Sequence, residues 1–125
     1  MCSLYGLPAA AIAVVFVIVS GGRADAADVA HDEHVFANCA PCHAKNNTAG
    51  LGPGLLGIIG RHAGSTPGFR YSRAMKSSNI VWDEKSLDAF IAAPQTAVPG
   101  TTMPFSGLQD QQERTDLIAY LETLK

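Results

Sequence analysis

Residues Cys39-Ala40-Pro41-Cys42-His43 limit what this chain can become more than any other run in it. Two thiols lie three positions apart, within reach of one turn of chain, and an imidazole follows at once. With two residues between them, both sulfurs can meet adjacent edges of one flat group. The next residue is then placed beneath the centre of that group. C-x-x-C-H is the attachment signal for c-type haem: the thiols add to two vinyl groups and the imidazole binds the iron. Three other readings compete. A thioredoxin-like pair needs a strand–helix junction within a βαβ pattern, whereas residues 29–38 show no strand alternation and read as helix. A zinc site needs more ligands than two cysteines and His43. A plain disulfide is chemically allowed in an exported chain, but leaves His43 as coincidence.

The segment before the motif reads as an address rather than as part of the fold. Residues 4–19 are almost wholly apolar, and Gly21-Gly22 and Ala24-Asp25-Ala26 follow. An apolar stretch ending in an A-x-A site is the pattern of a secretory signal peptide. No Lys or Arg precedes it. The alternative is a retained membrane anchor, but the run falls short of the ~18–20 residues that span a bilayer. Cys2 lies before the apolar run and is not placed as a lipid acceptor. The expected division is a leader over 1–26 and one working domain over 27–125. After cleavage this domain keeps Cys39 and Cys42, and no stable membrane insertion is expected.

Composition narrows the class of partner. The net charge is −2, from 9 basic and 11 acidic residues, and no basic run stands out. Nucleic acid is therefore not an expected partner. The 12 glycines and 7 prolines predict many loops. A domain of about 100 residues buries only about 60–70 % of its unfolded surface. An apolar cofactor supplies what such a loop-rich chain lacks.

A second iron ligand has two methionine candidates outside the leader, Met75 and Met103. Iron in electron carriers is commonly held by His and Met together. Met103 lies in Val98-Pro99-Gly100-Thr101-Thr102-Met103-Pro104-Phe105, a loop stiffened by its prolines. Met75 falls in a short helix over 72–77 and reads as a packing residue. His62 is the rival ligand, and its place after Arg61 in a Gly-rich turn reads as solvent-facing. His31 and His34 read as surface residues of the first helix. A thioether favours ferrous iron and raises the potential relative to bis-His ligation. Two strong ligands leave no open iron site, which argues for electron transfer against catalysis.

Helices are expected over 29–40, after Trp82, and from Asp110 onward. Asp83 reads as an N-cap, with Leu87, Phe90 and Ile91 on one face and Pro94 as the stop. Glu113 three residues after Asp110 suggests a variant capping box. Leu117, Tyr120, Leu121 and Leu124 form one apolar stripe, expected to pack on the first helix. Residues 50–64 read as loop. The expected fold class is all-α, with helices and Gly-rich loops wrapped around one covalently bound haem.

The motif runs appear in the order of a known family. After residues 39–43 come Gly52-Pro53-Gly54-Leu55, Gly60-Arg61-His62-Ala63-Gly64 and Pro67-Gly68-Phe69-Arg70-Tyr71-Ser72. Trp82, the Met103 loop and Asp116-Leu117-Ile118-Ala119-Tyr120-Leu121 follow. From Val29 to Leu124 the chain resembles a class I cytochrome c, close to the mitochondrial carrier and its bacterial periplasmic relatives. The resemblance implies one haem c held through two thioethers by Cys39 and Cys42, with His43 and Met103 on the iron. It implies that the Pro53 carbonyl accepts the His43 Nδ1–H. It also implies that Arg61, Tyr71 and Trp82 supply donors to the propionates, and that Leu55, Leu87, Ile91 and Phe105 wall the porphyrin.

The implied function is a monomeric, periplasmic single-electron carrier and not an enzyme. Its expected partners are a cytochrome bc1-type complex and a terminal oxidase or photosynthetic reaction centre. The alternative is a dedicated donor or acceptor for one periplasmic dehydrogenase or reductase. Six positions, in four places, depart from the mitochondrial pattern. Phe90 replaces a Tyr that can bond the Met sulfur. Gln95, Thr96 and Thr102 replace lysines that ring the haem edge. Met75 replaces a polar residue near a propionate, and His31 replaces a small Gly at a helix crossing. With the lysine ring depleted, electron transfer to the usual acidic partners is expected to depend only weakly on ionic strength. Stopped-flow kinetics over a salt series measure this, and a steep fall with salt refutes it.

Overall fold

The computed structural model describes residues 33–125. The expected leader over 1–26, Cys2, the start of the first helix and His31 lie outside the described residues. Five helical pieces follow in chain order: α1 (33–36), α2 (Arg73–Lys76), α3 (Glu84–Ala92), α4 (Pro94–Ala97) and α5 (Gln111–Thr123). Among the described residues there is no β-strand; the one β pairing is an isolated antiparallel bridge between His62 and Val81. The expected all-α class with Gly-rich loops is what forms. Among the described residues, no helix is long and apolar enough to cross a membrane.

The start of α3 is set by a two-way cap. Asp83 accepts the Ser86 N–H at 2.7 Å, and the Ser86 hydroxyl accepts the Asp83 N–H at 2.8 Å. Two amides that a helix start leaves unpaired are thus satisfied. The box expected at α5 forms only one arm: the Asp110 carboxylate accepts the Glu113 N–H at 2.9 Å. Pro94 does more than stop a helix. α3 ends at Ala92, and Pro94 opens α4 at its first turn. Proline is suited to that place, where its missing N–H costs nothing. α2 matches its expected bounds, since Ser72 caps it by accepting the Met75 N–H at 3.0 Å and Ser77 closes it.

The core joins α1, α3 and α5. Phe36 is wholly buried and its ring lies 5.3 Å from that of Tyr120. The expected stripe on α5 is buried at Leu117, Tyr120 and Leu121, and Ile118 widens it. Each such side chain contributes about 1.5–3 kcal/mol when fully buried. Lys45 covers this contact from outside, with its ammonium 5.6 Å from the Phe36 centroid and 5.4 Å from that of Tyr120. Glu33 pairs with the same ammonium.

One charge pair ties α5 to α3. The Arg114 side chain is buried, and its Nε–H donates to Asp88 at 2.7 Å. Its Nη1 donates to the carbonyls of Leu108 and Gln109, each at 2.9 Å. Hydrogen bonding from Arg114, aided by Gln111, holds the Asp88 carboxyl below its ordinary pKa. A carboxyl with a depressed folded-state pKa stabilises the fold fully above its unfolded pKa, and that stability is lost as pH falls through the folded value. Asp88→Ala is therefore expected to cost about 1–2 kcal/mol at pH 7, since the pair is partly exposed. Denaturant melts should show the gap from the parent protein closing as pH drops from ~4 through the depressed value. A gap undiminished in acid would mean that Asp88 acts through packing rather than charge.

Candidate functional site: a haem cavity

The cysteine motif forms the tapering end of α1. Cys39 and Ala40 both donate their N–H to the Phe36 carbonyl, at 2.8 and 3.0 Å. The Cys42 and His43 amides then both bond the Cys39 carbonyl, at 3.1 and 2.9 Å. One closed turn thus carries both thiols and the imidazole. Both thiols are free and half-buried. Burial, and secondarily the neighbouring Cys42, push the Cys39 thiol up to about 11. Redox-active C-x-x-C pairs have the opposite shift, because the thiolate is the nucleophile. With no β-strand among the described residues, the thioredoxin-like reading loses both its chemistry and its fold.

His43 is aimed by the loop that follows. Its Nδ1–H donates to the Pro53 carbonyl at 2.8 Å, as expected. This bond fixes the tautomer and leaves Nε2 with a free lone pair. The neighbour that permits this geometry is Gly52. A Cβ there would come within 2.5 Å of the imidazole Cε1, so only glycine lets the backbone lie flat against the ring. The loop is fastened back by Gly52 N–H to the Cys42 carbonyl at 2.8 Å and Leu55 N–H to the Ala44 carbonyl at 2.9 Å.

Arg61 braces the same loop from the other side. Its Nη2 donates to the Gly54 carbonyl at 2.9 Å and its Nη1 to the Leu56 carbonyl at 3.3 Å. Sequence reading expected propionate donation only; this bracing was not foreseen, and it leaves further N–H groups for an anion. Arg61 is itself held by backbone pairing, with Trp82 N–H on the Arg61 carbonyl at 3.0 Å and Gly60 N–H on the Trp82 carbonyl at 2.7 Å. Trp82 is buried and packs 5.1 Å from Phe90. Tyr71 is half-buried and meets Phe69 edge-on, with centroids 4.7 Å apart.

All these residues converge on one largely apolar cavity of ≈ 450 Å³. Its lining includes Cys39, Cys42, His43, Pro53, Leu55, Arg61, Tyr71, Trp82, Leu87, Ile91, Met103 and Phe105. Every residue expected at the site is therefore brought together. Ile58, Thr101, Leu117 and Leu121 also line it and were not foreseen as site residues. Helical spacing marked Leu117 and Leu121 as core, but gave no sign that the core is open. Met75 is buried, as expected for a packing residue, yet it packs on the cavity itself. His62 lies at the edge of the cavity and is exposed; His34 is exposed too.

The donor set fits haem. Two thiols, a singly hydrogen-bonded imidazole and a thioether face one apolar space, with an arginine, a tyrosine and a tryptophan able to meet carboxylates. His and Met are the pair used on iron in cytochromes c.

Comparison with known proteins agrees. The family model for cytochrome c matches residues 32–125. Cytochrome c2 of Rhodomicrobium vannielii is 47% identical over 100 residues, covering 78% of this chain and 80% of that protein. Cytochrome c of Sesamum indicum is 44% identical over 98 residues, covering 76% and 88% respectively. The solved structure of cytochrome cH from Methylobacterium extorquens superposes with a TM-score of 0.73 at 41% identity, over 77% of this chain and 98% of that one. The chain belongs to the cytochrome c family, and is thus a carrier of electrons on covalently attached haem c rather than an enzyme.

Proposed function

We propose that this chain shuttles single electrons in the periplasm, taking them from a cytochrome bc1-type complex and passing them to a terminal oxidase or a photosynthetic reaction centre. The observation that carries this reading is the shared cavity of His43 and Met103, fed by the two thiols of one turn. Relatives named cytochrome c2 support the choice of partners and compartment. Residues 1–26 act as the leader that takes the chain there.

The roles follow from chemistry. Cys39 and Cys42 hold the group by thioethers, so it cannot be lost to a dilute compartment. His43 binds iron through Nε2 while Pro53 keeps the ring in place. Met103 supplies the soft second ligand. Arg61, Tyr71 and Trp82 satisfy the propionates, which need hydrogen bonds when buried. Leu55 and Phe105 keep water from the porphyrin. When bound, haem supplies a one-electron iron couple. The apolar walls limit how far solvent must reorganise as the charge changes, and this lowers the barrier to transfer. Partner contacts of this type are small, below ~1,200 Å², which allows rapid release.

Two measurements test the proposal. Spectra of the purified protein in both redox states should show haem that stays with the denatured chain, and a Met-to-iron charge-transfer band when oxidised. Met103→His should abolish that band and lower the reduction potential by on the order of 0.1 V, within the ≈ 0.8 V range that axial ligands command. An unchanged potential would rule out Met103 as a ligand. The intact mass of the periplasmic protein should correspond to a chain starting at Ala27 plus one haem; a mass that retains residues 1–26 would overturn the leader assignment.

A further inference from the structure

The loop that carries Met103 is fastened differently at its two ends. Its far end is bound to α3 through several groups. Leu108 N–H bonds the Ile91 carbonyl at 2.9 Å, and the Gln109 amide bonds the Ala92 carbonyl at 3.0 Å. Gly107 packs so closely there that a Cβ would lie 2.1 Å from the Ala92 oxygen. At the near end the Thr101 N–H bonds the Val98 carbonyl at 3.0 Å, and among the described residues one side chain adds a tether, Gln95 in α4. Its Nε2–H donates to the Thr101 carbonyl at 2.7 Å, and its Oε1 accepts the Gly100 N–H at 3.2 Å. A single carboxamide therefore grips the Gly100–Thr101 stretch through both a donor and an acceptor. Thr101 is buried, and its hydroxyl accepts the Met103 N–H at 3.4 Å. A continuous chain of contacts thus runs from Gln95 to the Met103 backbone.

We infer that Gln95 is a positioning residue for Met103, and sets how firmly the thioether stays in the haem cavity. This deepens the proposed function and rests on Met103 being the second iron ligand. Neither a lysine nor a short side chain could do the same. An ammonium has donors but no acceptor for Gly100, and an Ala or Thr cannot span to the turn. The carboxamide is uncharged, so the tether is expected to be insensitive to salt and to pH near neutrality.

The test uses the mature holoprotein in the ferric state. Imidazole is titrated as a competitor for the iron, and the Met-to-iron band is recorded. Gln95→Ala removes two hydrogen bonds from the loop and is expected to raise imidazole affinity about tenfold. The band should weaken while the global denaturation midpoint stays near that of the parent. Thr96→Ala, on the exposed neighbour in α4, should leave both readings unchanged. Parental imidazole affinity in Gln95→Ala, or an equal shift in Thr96→Ala, overturns the proposal. If the parent lacks the band and Met103→Ala leaves imidazole affinity unchanged, the Met103 reading itself has failed and the proposal falls with it. A parental band that is unaltered in Gln95→Ala sinks only the role of Gln95.

Discussion

The 2.8 Å bond from His43 Nδ1 to the Pro53 carbonyl links the turn after α1 to the loop after it. A carbonyl can only accept, so the ring must carry its proton on Nδ1 and present a bare Nε2. Everything nearby serves to keep Pro53 where that bond needs it. Gly52 lets the backbone approach the ring, and Arg61 holds the carbonyls of Gly54 and Leu56. Arg61 is in turn paired through its backbone with Trp82, next to the capped start of α3. A chain of contacts thus links one imidazole, through a loop with no regular structure, to a helix forty residues downstream.

The cavity explains why so loop-rich a chain folds at all. Short helical pieces and long connections close only part of an apolar core, and here Phe90, Leu117 and Leu121 pack in the core yet also line an open space. A large apolar group held by two covalent bonds fills that space without an association step to reverse. Phe90 and Met75 bring only carbon and sulfur to the lining, while Thr101 directs its hydroxyl to the Met103 backbone.

Much of this was legible in the sequence because it depends on residues close together in the chain. The Cys39–His43 turn, the short helix over 72–77 and the stripe on α5 follow from short spacings, and the Pro53 partner from the family resemblance. The longer-range devices were not. Arg114 and Asp88 are 26 positions apart, and nothing local in either marks the other as its partner. Gln95 was read only as the absence of a lysine, because its meaning depends on Gly100 and Thr101 folding back over α4. Arg61 was read as a donor to a carboxylate, yet two of its bonds go to loop carbonyls that motif spacing cannot reveal. Pro94 was read as a stop; its ring drives Ala93 out of helical geometry and ends α3, while its own fixed φ suits it to begin α4.

The two proposed iron ligands consequently rest on unequal foundations. His43 belongs to a closed turn joined to α1, and freeing it means undoing the turn, the Pro53 bond and the loop braced by Arg61. Met103 belongs to a loop held at its near end by one carboxamide and by the Thr101 N–H bond to the Val98 carbonyl. Local opening follows the weakest set of contacts, well below the free energy of global unfolding. The loop of Met103 is therefore expected to open before the turn of His43, and substitutions in α4 would loosen it without disturbing the core beneath α1 and α5.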